Sequence, residues 1–177
     1  MKRLLVICVV LALGACREQS RPVLIEMPRD AVALPCAPVR AAAPAPYDRE
    51  AVEACAGEIL ARLAAAARPT LLVDIEVRRY GLEARVAELA HRLAIPVVTT
   101  FMGRGLLAEA AVPVAGTYLG VAGDPAVTAL VEDSDCLLML GVLLSDTNFG
   151  VSGRQIDLRK AVYAADRQVQ IGFHHYP

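Results

Sequence analysis

Residues 136–140 read Cys-Leu-Leu-Met-Leu, an apolar run with no charged side chain to turn toward water. Successive side chains of a strand point to opposite faces, so a strand made of such a run must be covered on both. That requirement selects a parallel sheet between layers of helices, because a half-solvated antiparallel sheet would show alternation instead. The same chain carries further short apolar runs at 70–75 (TLLVDI), 96–101 (PVVTTF), 161–165 (AVYAA) and 169–171 (VQI). Between the first runs lie stretches with helical spacing. Strands alternating with helices specify an α/β domain with a parallel sheet flanked by helices, of Rossmann-like type.

The helices are read from their apolar spacing and caps. Asp48 is expected to cap a helix, with Tyr47 stapled onto Val52 and with Val52, Cys55, Ile59, Leu60 and Leu63 on the inward face. A second helix spans 81–94, with Leu82, Val86, Leu89 and Leu93 facing in. Asp124 caps a short third helix that has Pro125 at its first position, with Val127, Leu130 and Val131 packing. The segment 172–177 follows the last apolar run with nothing to cover it, and the strands at Val23 and Val169 are both expected to lack partners.

The beginning of the chain has a different character. Lys2 and Arg3 precede ten apolar residues, 4–13, and Gly14-Ala15-Cys16 follows. This is the layout of a secretory signal ending at a lipid-modified cysteine, which would export the protein. The alternative is an Ala/Leu/Val-rich core helix. Val23, Leu24 and Ile25 form a short strand between Pro22 and Pro28, and residues 31–47, with Pro35, Pro38, Pro44 and Pro46 among alanines, form an extended linker.

Charge excludes some functions. With 18 basic against 19 acidic side chains, a net charge of -1 and a pI near 6.3, there is no electrostatic footprint for nucleic acid. The cysteines, Cys8, Cys16, Cys36, Cys55 and Cys136, are scattered without a C-x-x-C pair, which reads as reduced buried thiols rather than a disulfide framework or zinc site.

Several local patterns invite a functional reading. Gly103-Arg104-Gly105-Leu106-Leu107-Ala108 has the form of a dinucleotide loop, but Pro113 interrupts the helix such a loop requires, so a tight structural turn is expected. Residues 116–123 (GTYLGVAG) could offer backbone N–H groups to an anion; Asp124 beside them disfavours it, and a packing loop at the sheet edge is expected. His174 and His175 are neighbours and diverge in an extended segment, while His91 stands alone on a helix, so no metal site is assigned. Ser145, Asp146, Thr147 and Asn148 follow the central strand with no histidine or cysteine beside them, which suits a side-chain-stabilised turn better than a nucleophile and its base.

Taken in order, SRPVLIEMPRD (20–30), RPTLLVDIEVRRYGL (68–82), LAIPVVTTFMGRGLL (93–107), GTYLGVAGDP (116–125), LGVLLSDTNFG (140–150) and VQIGFHHYP (169–177) resemble the thiamine diphosphate-dependent 2-oxo acid decarboxylases, in the branch of the pyruvate, indolepyruvate and phenylpyruvate enzymes. The resemblance implies that 1–30 is the end of a pyrimidine-binding domain, 31–47 a linker, and 48–177 a truncated central domain of Rossmann-like fold. Its partners would be the pyrimidine and diphosphate domains of a homo-oligomeric, cytoplasmic parent enzyme. Thiamine diphosphate and Mg²⁺ would be held by a glutamate and by a G-D-G…N segment that this chain does not contain. Ala122-Gly123-Asp124-Pro125 lacks the second glycine, so no cofactor or metal ligand and no catalytic residue is carried over. The chain alone is therefore not expected to decarboxylate anything. Relatives in other branches bind FAD or ADP at the strand ends, where Asp74, Gly141 and Asp166 stand here; the decarboxylase branch leaves that crevice empty. A free-standing nucleotide-binding or regulatory module of the same fold is the competing expectation.

Overall fold

In the computed structural model the described residues are 48–149 and 156–177. The signal-like run, the Val23 strand, the linker, Tyr47, Cys8, Cys16 and Cys36 lie outside them. The elements run in the order α1 (Arg49–Ala65), β1 (Pro69–Val73), α2 (Glu76–Arg79), α3 (Glu83–Leu93), β2 (Val97–Thr100), β3 (Val114–Tyr118), α4 (Pro125–Glu132), β4 (Cys136–Leu140), α5 (Asp146–Phe149), β5 (Ala161–Ala165), β6 (Gln168–Ile171) and β7 (His174–Tyr176), with single 3-10 turns at Gly120–Ala122 and Leu158–Lys160. They build one seven-stranded sheet in the order β3-β2-β1-β4-β5-β6-β7.

The first five strands in that order are parallel. Leu71, Val73, Val97, Leu138 and Val162 face one layer, which Cys55 of α1, Val77 of α2 and Val86, Ala87 and Ala90 of α3 complete. Leu72, Val98, Leu137, Met139 and Ala161 face the other, against Val127 and Val131 of α4 and the ring of Tyr118. Both faces of β1 and β4 are thus apolar, which is why neither strand shows alternation. Leu71, Leu72, Val73 and Met139 are fully buried, and burying each such side chain contributes ~1.5–3 kcal/mol.

The caps follow the expected chemistry. Asp48 accepts from the backbone N–H groups of Glu50 and Ala51 at 3.0 and 3.3 Å, and Asp124 accepts from Ala126 N–H at 2.7 Å with Pro125 at the first helical position.

Several expectations are corrected. The sheet is mixed, because Asp166 and Arg167 form a two-residue turn with φ of 49° and 63° between β5 and β6, which run antiparallel. Two left-handed residues are what such a tight hairpin needs. The strand at Val169 therefore has partners on both sides, β5 and β7, and residues 174–176 are a strand themselves. Residues 116–118 were expected in a loop but belong to β3, paired with β2 in parallel; Gly116 and Thr117 hide the strand because neither shows a strong apolar signal. β1 ends at Val73, so Asp74 and Ile75 leave the sheet and lead into α2. Val52 and Leu60, expected inward, are 46% and 61% exposed, while Ile59 and Leu63 pack on the core beside buried Cys55.

Asp135 joins α1 to the sheet. Its carboxylate accepts from Ala67 N–H and Arg68 N–H, each at 2.9 Å, in the connection before β1. The bond from Arg68, then that from Ala67, holds the carboxyl below its usual range. A carboxyl depressed by folding stabilises fully above its unfolded value, ~3.9, and that contribution is lost as pH falls through the lower folded value. Urea midpoints measured across this window will show the gap between the wild type and Asp135→Asn closing as the medium becomes more acidic.

Candidate functional site

The strand order reverses between β1 and β4: β2 and β3 extend from one side of β1, and β4 and β5 from the other. Ligands of open α/β sheets lie at the carboxyl edge beside such a reversal. Asp74 and Gly141 follow the two strands at this place.

Asp74 is fully buried and its carboxylate is committed to this chain. Oδ1 accepts from Ile75 N–H at 2.7 Å. Oδ2 accepts from Leu143 N–H at 2.9 Å and from the Asn148 amide at 2.7 Å. Asn148, only 1% exposed, also donates to Leu143 C=O at 2.9 Å and accepts from Met102 N–H at 3.4 Å. One carboxylate and one amide thus tie together the loops that follow β1, β2 and β4. Ser145, Asp146 and Thr147 belong to the same connection: Ser145 C=O accepts from Asn148 and Phe149 N–H, and Asp146 Oδ1 accepts from Thr147 N–H at 2.8 Å. Asn148 was expected in a polar turn; the structure buries it in α5, with its amide on Asp74.

Glycine is required at two points of this edge. Gly141 has φ of 61°, and a Cβ there would stand 2.7 Å from Val77 N and 2.8 Å from Glu76 Cβ. Gly103 lets the loop after β2 close on β1, since its Cβ would meet Asp74 Cα at 2.8 Å and Val73 O at 2.9 Å. Gly103-Arg104-Gly105 thus opens a chain of turns that buries Leu106 and Leu107, with the Arg104 guanidinium over the Phe101 ring at 4.4 Å. No helix begins after it to face a pyrophosphate.

Asp166 is in the β5–β6 turn, apart from Asp74. It lines a cleft of about 460 Å³ beside Gly141, with Val77, Leu82, Val86 and Val169 as apolar walls and Glu76 at one side. Glu76 is 5% exposed and paired with Arg79. The structure therefore brings Gly141 and Asp166 to one cleft and leaves Asp74 beneath the adjoining loops. Tyr163 donates to Val142 C=O at 3.0 Å, and burial first, then Glu76, Asp166 and Asp74, push its phenol up.

Of the histidines, His91 lies on α3, and His174 meets Glu58 of α1 at 2.9 Å, where the carboxylate also accepts from the Tyr176 hydroxyl at 2.8 Å. These bonds, with Arg62 nearby, hold the Glu58 carboxyl below its usual range. Among the described residues no group of three or more His, Cys, Asp or Glu side chains is placed to hold a metal ion. Asp124, in the only local echo of a diphosphate-binding segment, spends its carboxylate on the α4 cap. The residues at that position do not fit Mg²⁺ or a diphosphate. Cys55 and Cys136 are free thiols raised above their usual range, chiefly by burial.

Fold and edge together define a doubly wound α/β domain whose switch point is closed by its own side chains. The chain belongs to the family described as thiamine pyrophosphate enzyme, central domain, which matches residues 56–175. Indole-3-pyruvate decarboxylase of Azospirillum brasilense is 59% identical over 164 residues, covering 93% of this chain and 30% of that protein. Pyruvate decarboxylase of Aspergillus terreus is 28% identical over 171 residues, covering 94% of this chain and 30% of that protein. Pyruvate decarboxylase isozyme 1 of Saccharomyces cerevisiae is 33% identical over 105 residues, covering 59% and 19%. The chain spans less than a third of the length of these curated relatives.

The Asp74–Asn148 contact sets a mutational expectation. Asn148→Ala leaves part of a buried carboxylate and two backbone groups without partners, a cost of roughly 2–3 kcal/mol. Asn148→Asp places a second carboxylate against the first and costs more. Urea unfolding of both variants at neutral pH checks the order.

Proposed function

We propose that this chain serves as the central domain of a thiamine diphosphate- and Mg²⁺-dependent 2-oxo acid decarboxylase, a carboxy-lyase of the cytoplasm acting on an indolepyruvate-, phenylpyruvate- or pyruvate-type substrate. The observation that carries this reading is the 59% identity to indole-3-pyruvate decarboxylase over 93% of the chain. Residues 48–177 are the central domain, 31–47 the linker, and 1–30 the end of the preceding pyrimidine domain.

In this reading the domain holds its neighbours in place and takes no part in bond breaking. The strand-end acid that could have met a ligand, Asp74, is used to fasten the loops after β1 and β4, with Asn148 adding the loop after β2, and the Asp124 carboxylate is used as a helix cap. Cofactor, metal and substrate are held by the pyrimidine and diphosphate domains of a homo-oligomeric parent. On this reading the cleft beside Gly141 and Asp166 is not expected to bind FAD or ADP. Among the described residues no helix is long and apolar enough to cross a membrane.

The test is an exchange. Residues 20–177 replace the matching third of the Azospirillum brasilense enzyme, and carbon dioxide release from indolepyruvate is followed with thiamine diphosphate and Mg²⁺ present. The chimera is expected to keep its rate within about tenfold of the parent, a barrier change under ~1.4 kcal/mol, while the 177-residue chain alone releases nothing. Release of carbon dioxide by the chain alone overturns the reading, as does a folded chimera that is inactive.

A further inference from the structure

The connection from β5 to β6 is two residues long, and its shortness leaves space at the end of β5. A further parallel strand would need a crossover of about a dozen residues or more, usually a helix. The Asp166–Arg167 turn reverses the chain at once instead. Asp74 and Asn148 close the edge between β1 and β4, but beyond Gly141 the cleft of about 460 Å³ opens between this hairpin and helices α2 and α3. Small-molecule sites occupy roughly 300–1,000 Å³, and this one falls within their range. Its walls are aliphatic, formed by Val77, Leu82, Val86, Leu140 and Val169.

The residues at the mouth of the cleft are not those the turn alone would select. Asp166 and Arg167 both have left-handed backbone, with φ of 49° and 63°, a conformation that glycine adopts freely. Non-glycine residues held there gather at ligand clamps and other working sites. Both line the cleft, as does Glu76, which is buried and paired with Arg79. The field at this end of the sheet is negative. Tyr163, one residue before Ala164 on β5, has its phenol pushed up by burial first and then by Glu76, Asp166 and Asp74, so the charges that act on it are all acidic. A phosphate or carboxylate entering beside Ala164 and Asp166 would meet the same field.

We propose that the cleft binds a protonated amine carried on a short aromatic body, with the ring against Val77, Leu82 and Val169 and the ammonium group beside Asp166. A rigid ring buries apolar area with little loss of internal freedom, and a carboxylate strengthens the hydrogen bond it accepts from an ammonium group. The arrangement disfavours nucleotides and 2-oxo acids alike, because both are anions. This inference does not rest on the decarboxylase reading, since binding to the chain is read without any turnover.

Nuclear magnetic resonance titration of the ¹⁵N-labelled, full 177-residue chain tests it, with 2-phenylethylamine and, separately, 3-phenylpropanoate, which pairs the same ring with the opposite charge. The amine is expected to bind with a dissociation constant on the order of 1 mM, as suits so small a ligand, and to shift the amides of Gly141 and of residues 164–169. Its affinity is expected to exceed that of the carboxylate by about fivefold or more. Asp166→Asn keeps a residue that tolerates left-handed backbone and is expected to lower that preference about threefold. Gln168→Lys, at an exposed position of the cleft, is expected to lower it likewise. Equal affinity for the two probes, shifts confined to other parts of the chain, or no shifts at about 10 mM amine, well above the expected constant, overturns the proposal. A preference unchanged in both variants overturns it too, because the charge that selects the amine then lies elsewhere.

Discussion

A carboxylate buried without a counter-ion is tolerable only where hydrogen-bond donors surround it, and Asp74 has three: two backbone N–H groups and the amide of Asn148. The carboxyl edge of the sheet depends on that arrangement. Loops after parallel strands have no ladder to hold them, and here the Asp74 carboxylate draws together the segments after β1 and β4 while the Asn148 amide on it reaches the segment after β2. Gly103 and Gly141 complete the arrangement by letting backbone come where a side chain would collide. The donors of one loop are spent on the acceptors of another, so at this point the edge offers little to a charged ligand.

The centre of the fold was legible in the chain and its periphery was not, for a physical reason. β4 and β5 read correctly to the residue, because burial on both faces demands unbroken apolar runs, and Asp48 and Asp124 were recognisable as caps because each stands before helical spacing. β3 was not readable, since Gly116 and Thr117 break its apolar run, and the glycine is there because a Cβ would stand 2.7 Å from Val127 of α4. The antiparallel turn at Asp166–Arg167 lacks glycine or asparagine, the residues that usually announce left-handed backbone, so the reversal could be found only from the shortness of the connection. For α1 the spacing of Val52, Cys55, Ile59, Leu60 and Leu63 allowed two faces, and sequence periodicity could not choose between them; the chosen face is the one on which Glu58 accepts from Tyr176 of β7 and Arg62 donates to Arg159 C=O in the turn before β5.

The site was legible in part. Asp74, Gly141 and Asp166 each follow an apolar run directly, which marks them in the sequence as strand-end residues. Their different surroundings depend on side-chain bonds between segments up to 74 residues apart, Asp74 to Asn148 among them. In the sequence Asn148 is one of four polar residues in a row, 145–148, with nothing local to set it apart. The signal that could have singled it out is its place in the single-turn helix that follows the short β4 connection, on the carboxyl edge of the sheet beside the end of β1.

Pairing of β1 with β4 has a consequence for how the domain is made. The contact at the base of that pair, Asp135 with Ala67, spans 68 residues, and the loop between them must be closed before the central strands gain anything from each other. During synthesis the β1–β2–β3 portion therefore leaves the ribosome with its innermost strand open on one side. Until β4 arrives, the half-built sheet leaves the backbone edge of β1 unpaired and Leu72 without the α4 and β4 residues that share its layer, and that interval is when the chain is most open to misassembly and to chaperones.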